Sequence, residues 1–166
     1  MKRIIVYYSY KGNTKRIANY IKERLDCDIL ELSPRVPFSD DYDEVVAEYQ
    51  NNSIDNKEVA INDINIKIDN YDEIIIGTPV WWYTMCPVVT TFLKQYDLSN
   101  KKVYMYATNA GWLGHTFKDF IKLHQGNVID DCLNVVFSST ERDKLITSEK
   151  EIDKWIDSIN KVVHYE

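Results

Sequence analysis

Three short stretches hold most of the residues whose types and spacing suit chemistry. The first is Ser9-Tyr10-Lys11-Gly12-Asn13-Thr14-Lys15, placed after the apolar run Ile4-Ile5-Val6 and before Ile17, Ala18, Ile21 and Leu25 at helical spacing. A turn that opens a helix presents unpaired backbone N–H groups and a partial positive charge, which together make an anion site. Ser9 and Thr14 add hydroxyls, Asn13 an amide, and Lys11 and Lys15 charge, while Gly12 lets the backbone come close to an anion. The stretch lacks the Gly-Lys-Ser/Thr ending of a nucleoside-triphosphate loop, and it has one glycine where a dinucleotide fingerprint has three. Seen alone, it also fits an ordinary polar turn between a strand and a helix.

The second stretch is Gly77-Thr78-Pro79-Val80-Trp81-Trp82-Tyr83-Thr84-Met85-Cys86-Pro87. Three consecutive aromatics cannot all face one core, so at least one ring is left for a planar ligand or a partner surface. The bland alternative packs Trp81 into the core and uses Trp82 to cap a helix. The third stretch is Thr108-Asn109-Ala110-Gly111-Trp112-Leu113-Gly114-His115-Thr116. Its small residues and two glycines free N–H groups for the edge of a heterocycle, and Trp112 is placed to cover a ring face. A glycine turn with a surface Trp would account for it equally well in isolation.

These stretches need elements to position them. Residues 3–8 predict a buried strand, about 14–26 an amphipathic helix and 28–32 a second strand, the opening of a parallel sheet. Residues 72–77, 102–107 and 133–137 predict three more strands. Pro87 with Val88, Val89, Phe92 and Tyr96 predicts one helix, and Phe117, Phe120, Ile121 and His124 another. Ser148 and Glu151 form a capping box ahead of Ile152, Trp155, Ile156, Ile159 and Val163. Between 33 and 71, Tyr42, Val45, Val46 and Tyr49 mark a short helix. The rest reads as an extended connector with one edge strand at Ile64, Ile66 and Ile68. Alternating strands and helices make a doubly wound α/β sheet in one domain, 1–166, whose ligands bind at the carboxyl ends of the strands. All three stretches fall there.

Charge narrows the partners. The net charge is −6. Residues 39–73 hold eleven acidic and two basic residues, whereas 1–38 hold eight basic and four acidic. A nucleic-acid partner, which needs basic surface, is disfavoured. The acidic segment is either a solvated face or a docking face for a basic protein. No run nears the roughly 20 apolar residues of a membrane span, and nothing resembles a signal peptide. Cys27, Cys86 and Cys132 are scattered, against a disulfide framework or a zinc site. The expectation is a cytoplasmic protein with no membrane or nucleic-acid partner.

The loops together ask for a ligand with a phosphate at one end and a flat aromatic at the other, a description flavin mononucleotide (FMN) meets. At this point the sequence resembles the flavodoxin family over nearly its whole length. The resemblance rests on Ser-Tyr-Lys-Gly-Asn-Thr at 9–14, Gly-Thr-Pro-Val-Trp-Trp at 77–82 and Thr-Asn-Ala-Gly-Trp-Leu-Gly at 108–114. It implies a five-stranded parallel sheet in the order 2-1-3-4-5, layered between helices. It implies that Ser9, Tyr10, Lys11, Gly12, Asn13 and Thr14 surround the FMN phosphate, and that Pro79, Val80, Trp81, Trp82 and Tyr83 line one side of the ring. Thr108, Asn109, Ala110, Gly111 and Gly114 would meet its edge, with Trp112 over it and His115 within reach.

The implied function is an FMN-binding electron carrier whose redox partner protein docks on the acidic 39–73 segment. The alternative is an FMN-dependent NAD(P)H:quinone-type oxidoreductase. Two departures from the family pattern bear on this choice. Lys11 stands where the family commonly has Thr. Residues 83–86 contain no glycine, although flavodoxins commonly place a glycine peptide beside flavin N5, and Tyr83 to Cys86 are expected to resist positive φ. The second departure weighs towards the reductase. A phosphoacceptor signalling domain of the same fold class would need an acidic cluster at Tyr8-Ser9 and an Asp at Gly77-Thr78, and has neither.

Overall fold

Hydrophobic runs of three to six residues, rich in Ile, Val and Tyr, form the central strands of the sheet, which are buried on both faces. The computed structural model describes residues 2–52, 59–124, 127–128 and 132–164. The strands are β1 (Arg3–Tyr7), β2 (Asp28–Glu31), β3 (Glu73–Trp81), β4 (Thr84–Met85), β5 (Lys102–Asn109), β6 (Asn127–Val128) and β7 (Leu133–Val136). The helices are α1 (Asn13–Arg24), α2 (Tyr42–Asn52), α3 (Pro87–Gln95), α4 (Thr116–Leu123) and α5 (Glu149–His164), with a 3-10 turn at Ile68–Asn70. Among the described residues the main path of the sheet runs β2-β1-β3-β5, all parallel, with both β6 and β7 outside β5. This is the expected 2-1-3-4-5 order. The fifth strand is in two pieces whose registers against β5 differ by two residues.

The period of two along each strand divides the core. Ile4, Val6, Ile74, Ile76, Val103 and Met105 face α3 and α4 through Val88, Val89, Phe92 and Phe120. Ile5, Tyr7, Ile75, Tyr104 and Tyr106 face α1 and α5 through Ile17, Ile21, Ile152, Trp155 and Ile156. Full burial of each large apolar side chain contributes about 1.5–3 kcal/mol. These two half-cores hold the sheet rigid, so that the loops at its carboxyl edge have a fixed base.

Three expectations change. The third strand does not end at Gly77 but runs to Trp81, because Val80 and Trp81 pair antiparallel with Met85 and Thr84 of β4. The predicted edge strand at Ile64–Ile68 is not formed; the segment has an isolated Pro34–Ile61 bridge and then the 3-10 turn, with Ile68 turned into the core. Among the described side chains of α2 only Val45 is buried, and Tyr42 is exposed. The cap expected before α5 is formed by Ser148 Oγ, which accepts the Glu151 N–H at 3.2 Å. The side chains of Tyr49 and Val163, and residues 53–58 of the connector, lie outside the described residues.

Candidate functional site

Loop one bends back on itself through Ser9. Its Oγ accepts the N–H groups of Gly12 and Lys15, each at 3.1 Å. Gly12 is left-handed at φ 105°, and a Cβ there would meet nothing within 4 Å, so the backbone faces open space. Among the described residues no protein acceptor takes the N–H groups of Tyr10, Lys11, Asn13 or Thr14. Four donors are therefore left open at the head of a twelve-residue helix, its positive end.

The base of the loop is held from below. Tyr106 is fully buried and its OH donates to the Thr14 carbonyl at 3.0 Å. The ring reaches this position because Gly77 on the neighbouring strand has no Cβ; one built there would strike the Tyr106 ring. Burial pushes the Tyr106 phenol well above its ordinary range, so it stays protonated and donating. The Thr14 and Thr108 hydroxyls share a buried 2.7 Å hydrogen bond, tying loop one to loop three.

A groove of about 180 Å³ runs from this spot along the sheet edge, lined by Ser9, Tyr10, Lys11, Asn13, Thr14, Pro79, Trp81, Thr108, Asn109, Ala110, Phe137 and Ser138. All three stretches meet in it. Trp81 is held by three edge-to-face contacts, with Phe38 at 4.9 Å, Tyr10 at 5.5 Å and Tyr8 at 6.4 Å between ring centroids. Such pairs contribute about 0.5–1.5 kcal/mol each beyond burial. Trp81 thus packs against its neighbours, as one reading of the aromatic run had it, while keeping a surface on the groove. Trp82 is half-buried and Tyr83 is 53% exposed.

Of the residues singled out in the sequence, Gly12, Val80, Trp82, Tyr83, Gly111, Trp112 and Gly114 lie outside the groove lining. Trp112 is 59% exposed. Gly111, at φ 108°, turns loop three and donates its N–H to Asn109 Oδ1 at 2.9 Å. Asn109 in turn donates from Nδ2 to Asn134 Oδ1 at 2.6 Å. Lys11 is not aimed at the four open donors: its Nζ donates to the Asp40 carbonyl at 2.8 Å and lies 4.6 Å from the Tyr10 ring centroid. Tyr10 OH donates to the Ser39 carbonyl. These two bonds strap the 33–41 connector to loop one and bring Asp40, Asp41 and Glu44 to the groove's rim. Partial burial and then those carboxylates raise the Tyr10 phenol.

The expectation that Tyr83 resists positive φ is overturned. Trp82 (φ 52°) and Tyr83 (φ 65°) are both left-handed, forming a two-residue turn between the paired Trp81 and Thr84. That turn normally takes Asn-Gly, since a side chain in this region costs roughly 1–2 kcal/mol per residue. Cys86 is fully buried, and burial pushes its thiol up, so it is an inert packing residue. Cys27, Cys86 and Cys132 are all free thiols. Among the described residues no group of acids, His and Cys is placed to hold a metal, and no helix is long and apolar enough to cross a membrane.

Phe38, Phe137, Ser138 and Tyr106 were not legible as site residues, and Gly77 was legible only as the first residue of the second stretch. Phe137 and Ser138 reach the groove because β7 ends beside loop three, with the Phe137 N–H donating to the Asn109 carbonyl at 2.8 Å. The signal available was position alone, since both fall at the carboxyl end of a predicted strand. Nothing local marked Phe38.

Comparison with known proteins bears on the family and the fold. Residues 2–159 match the family model described as Flavodoxin. A flavoprotein from Lactobacillus acidophilus NCFM, crystallised in complex with FMN, is 25% identical; the match covers 93% of this chain and 97% of that one, with a TM-score of 0.68. A flavodoxin from the domain Archaea shares the fold at 17% identity, covering 99% and 100%, with a TM-score of 0.59. A WrbA-like flavodoxin from Agrobacterium tumefaciens does so at 16% identity, covering 99% and 98%, with a TM-score of 0.61. No curated protein matches the sequence.

Proposed function

The chain belongs to the flavodoxin family, and from that premise we propose that it is an FMN-binding electron carrier of the cytoplasm that exchanges electrons with a partner protein. The observation that carries the reading is the set of four open N–H donors at the head of α1, facing a groove that leads to Trp81. The residues fit the group. A phosphate dianion satisfies donors that the protein leaves unpaired, and Gly12 leaves it room. Thr108, Asn109 and Ala110 would follow the chain of the ligand along the sheet edge towards Trp81, Trp82 and Tyr83 at the ring. When bound, FMN supplies the redox chemistry; the protein binds it, orients it and tunes its surroundings.

The residues divide this work. Loop one binds through backbone donors whose geometry is locked by Ser9 and Tyr106, so little ordering cost falls on binding. Trp81, immobilised by Phe38, Tyr8 and Tyr10, excludes water from one side of the groove. Asp40, Asp41 and Glu44, beside Tyr10 at the groove, supply the negative face on which a basic redox partner would dock. The same charges disfavour added negative charge on a nearby flavin, within the reach that salt allows.

A second reading, an FMN-dependent NAD(P)H:quinone-type oxidoreductase, is favoured by the exposed Tyr83 and Trp112 rings, which offer a flat acceptor something to stack on. One experiment separates them. The purified protein is titrated with FMN and its visible spectrum followed during stepwise photoreduction, then with NAD(P)H and a quinone. Saturable binding with reduction in two resolved steps supports the carrier. A single two-electron step with NAD(P)H turnover supports the reductase. Failure to bind FMN removes both. Trp82→Ala weakens FMN binding if the ring lies where this reading puts it.

A further inference from the structure

The left-handed Trp82-Tyr83 turn has no glycine to relieve it, so something else must over-determine it. Three contacts do so, and all come from the stretch that opens α4. The His115 N–H donates to the Tyr83 carbonyl at 2.8 Å. Thr84, the first residue after the turn, donates from Oγ1 to Asp119 Oδ2 at 2.5 Å, and His115 Nδ1 bonds that same oxygen. Gly114, at φ 59°, lies so close against the Tyr83 backbone that a Cβ there would overlap it. The neighbouring helix thus grips the turn by its carbonyl, by the residue after it and by direct contact.

We propose that Asp119 and His115 are positioning residues that lock the Trp82-Tyr83 turn and so set the ring side of the flavin site. The inference rests on the FMN reading for its second half only; the lock itself is a property of the protein alone. Asp119 acts through Thr84, and His115 acts through the Tyr83 carbonyl. Neither needs to touch the flavin. A role confined to capping α4 would leave the turn indifferent to Asp119. Among the described residues the groups facing the Asp119 carboxylate are His115 just before its helix and Lys122 on it, and β4 presents the neutral Thr84 hydroxyl.

The test compares Asp119→Ala, Asp119→Asn and the exposed neighbour Lys118→Ala, with thermal unfolding to confirm that each folds. In the flavin-free protein, Asp119→Ala is expected to speed exchange of the His115 amide and shift the Trp82 and Tyr83 amide resonances. Asp119→Asn, which keeps an acceptor oxygen for Thr84, stays nearer the unaltered protein, and Lys118→Ala changes nothing. With FMN, Asp119→Ala lowers affinity about tenfold and moves the reduction potential of the bound flavin, and Asp119→Asn restores part of both. Turn amides unmoved by Asp119→Ala would overturn the lock. Moved amides with unchanged affinity and potential would overturn its role in the flavin site. An unaltered chain that binds no FMN would refute the role and the FMN reading together, whatever the amides report.

Discussion

The two ends of this sheet handle polar groups in opposite ways. At the amino end they are paired among themselves. Arg3 Nε donates to Glu73 at 2.6 Å with both side chains buried, and Lys101 Nζ donates to the Tyr71 carbonyl at 2.7 Å. Tyr71 OH donates to Asp28 at 2.5 Å, and the Lys2 N–H to Asp72 at 2.8 Å. One oxygen of Glu73 still has no partner among the described residues. At the carboxyl end, among the described residues, four N–H donors are left open, two bulky residues sit in left-handed backbone, and two aromatic rings are more than half exposed. One end satisfies itself and stabilises; the other stores unsatisfied and strained groups that a ligand can use. Both hang on the same strands, which is how a rigid fold supports a costly site.

The largest expected effect tests the amino end. Arg3→Met leaves Glu73 buried without its partner and is expected to cost about 3–5 kcal/mol in urea unfolding, with FMN affinity of the folded protein unchanged. A marked loss of affinity would mean that the two ends are coupled. Next, Gly12→Glu places a carboxylate at the open donors and a side chain at φ 105°. FMN affinity is expected to fall about a hundredfold, with a smaller loss of stability. Equal affinity in both proteins would move the phosphate elsewhere. Thr14→Val breaks the buried bond to Thr108 and is expected to cost about 1 kcal/mol in unfolding and a few-fold in FMN affinity.

The smallest effects are in pH, and they separate the ends by direction. Tyr71 is pushed up to about 12 by its hydrogen bond to Asp28, then by burial and the carboxylate's charge. The folded protein holds the protonated phenol, so this contribution is complete below the ordinary tyrosine range and is lost as pH rises towards 12. Burial works to raise Asp119, but the bonds from Thr84 and His115 and the charges of His115 and Lys122 outweigh it and hold the carboxyl low. Its contribution is present above the ordinary carboxylate range and is lost as pH falls through the depressed value. Melting curves across pH should therefore lose an alkaline component in Tyr71→Phe and an acid component in Asp119→Asn.

What the sequence determined by itself was whatever short-range pattern specifies. Short unbroken runs of Ile and Val dictate buried strands, the spacing of Ile17, Ile21 and Leu25 dictates a helix, and a turn of Ser, Gly, Asn and Thr at its head dictates an anion site. Those signals depend on neighbours within a few residues, and they were enough to place all three stretches at one sheet edge and to suggest the family. The tertiary structure decided the rest. Trp81 is fixed by Phe38, Tyr106 supports loop one from beneath because Gly77 makes room, and Asp119 secures a turn that local preference opposes. Each pair is separated by dozens of residues and brought together only by the packing of the layers. Local sterics set Tyr83 against positive φ. Contacts from α4 outweigh a preference of roughly 1–2 kcal/mol, and no local pattern records that they are there.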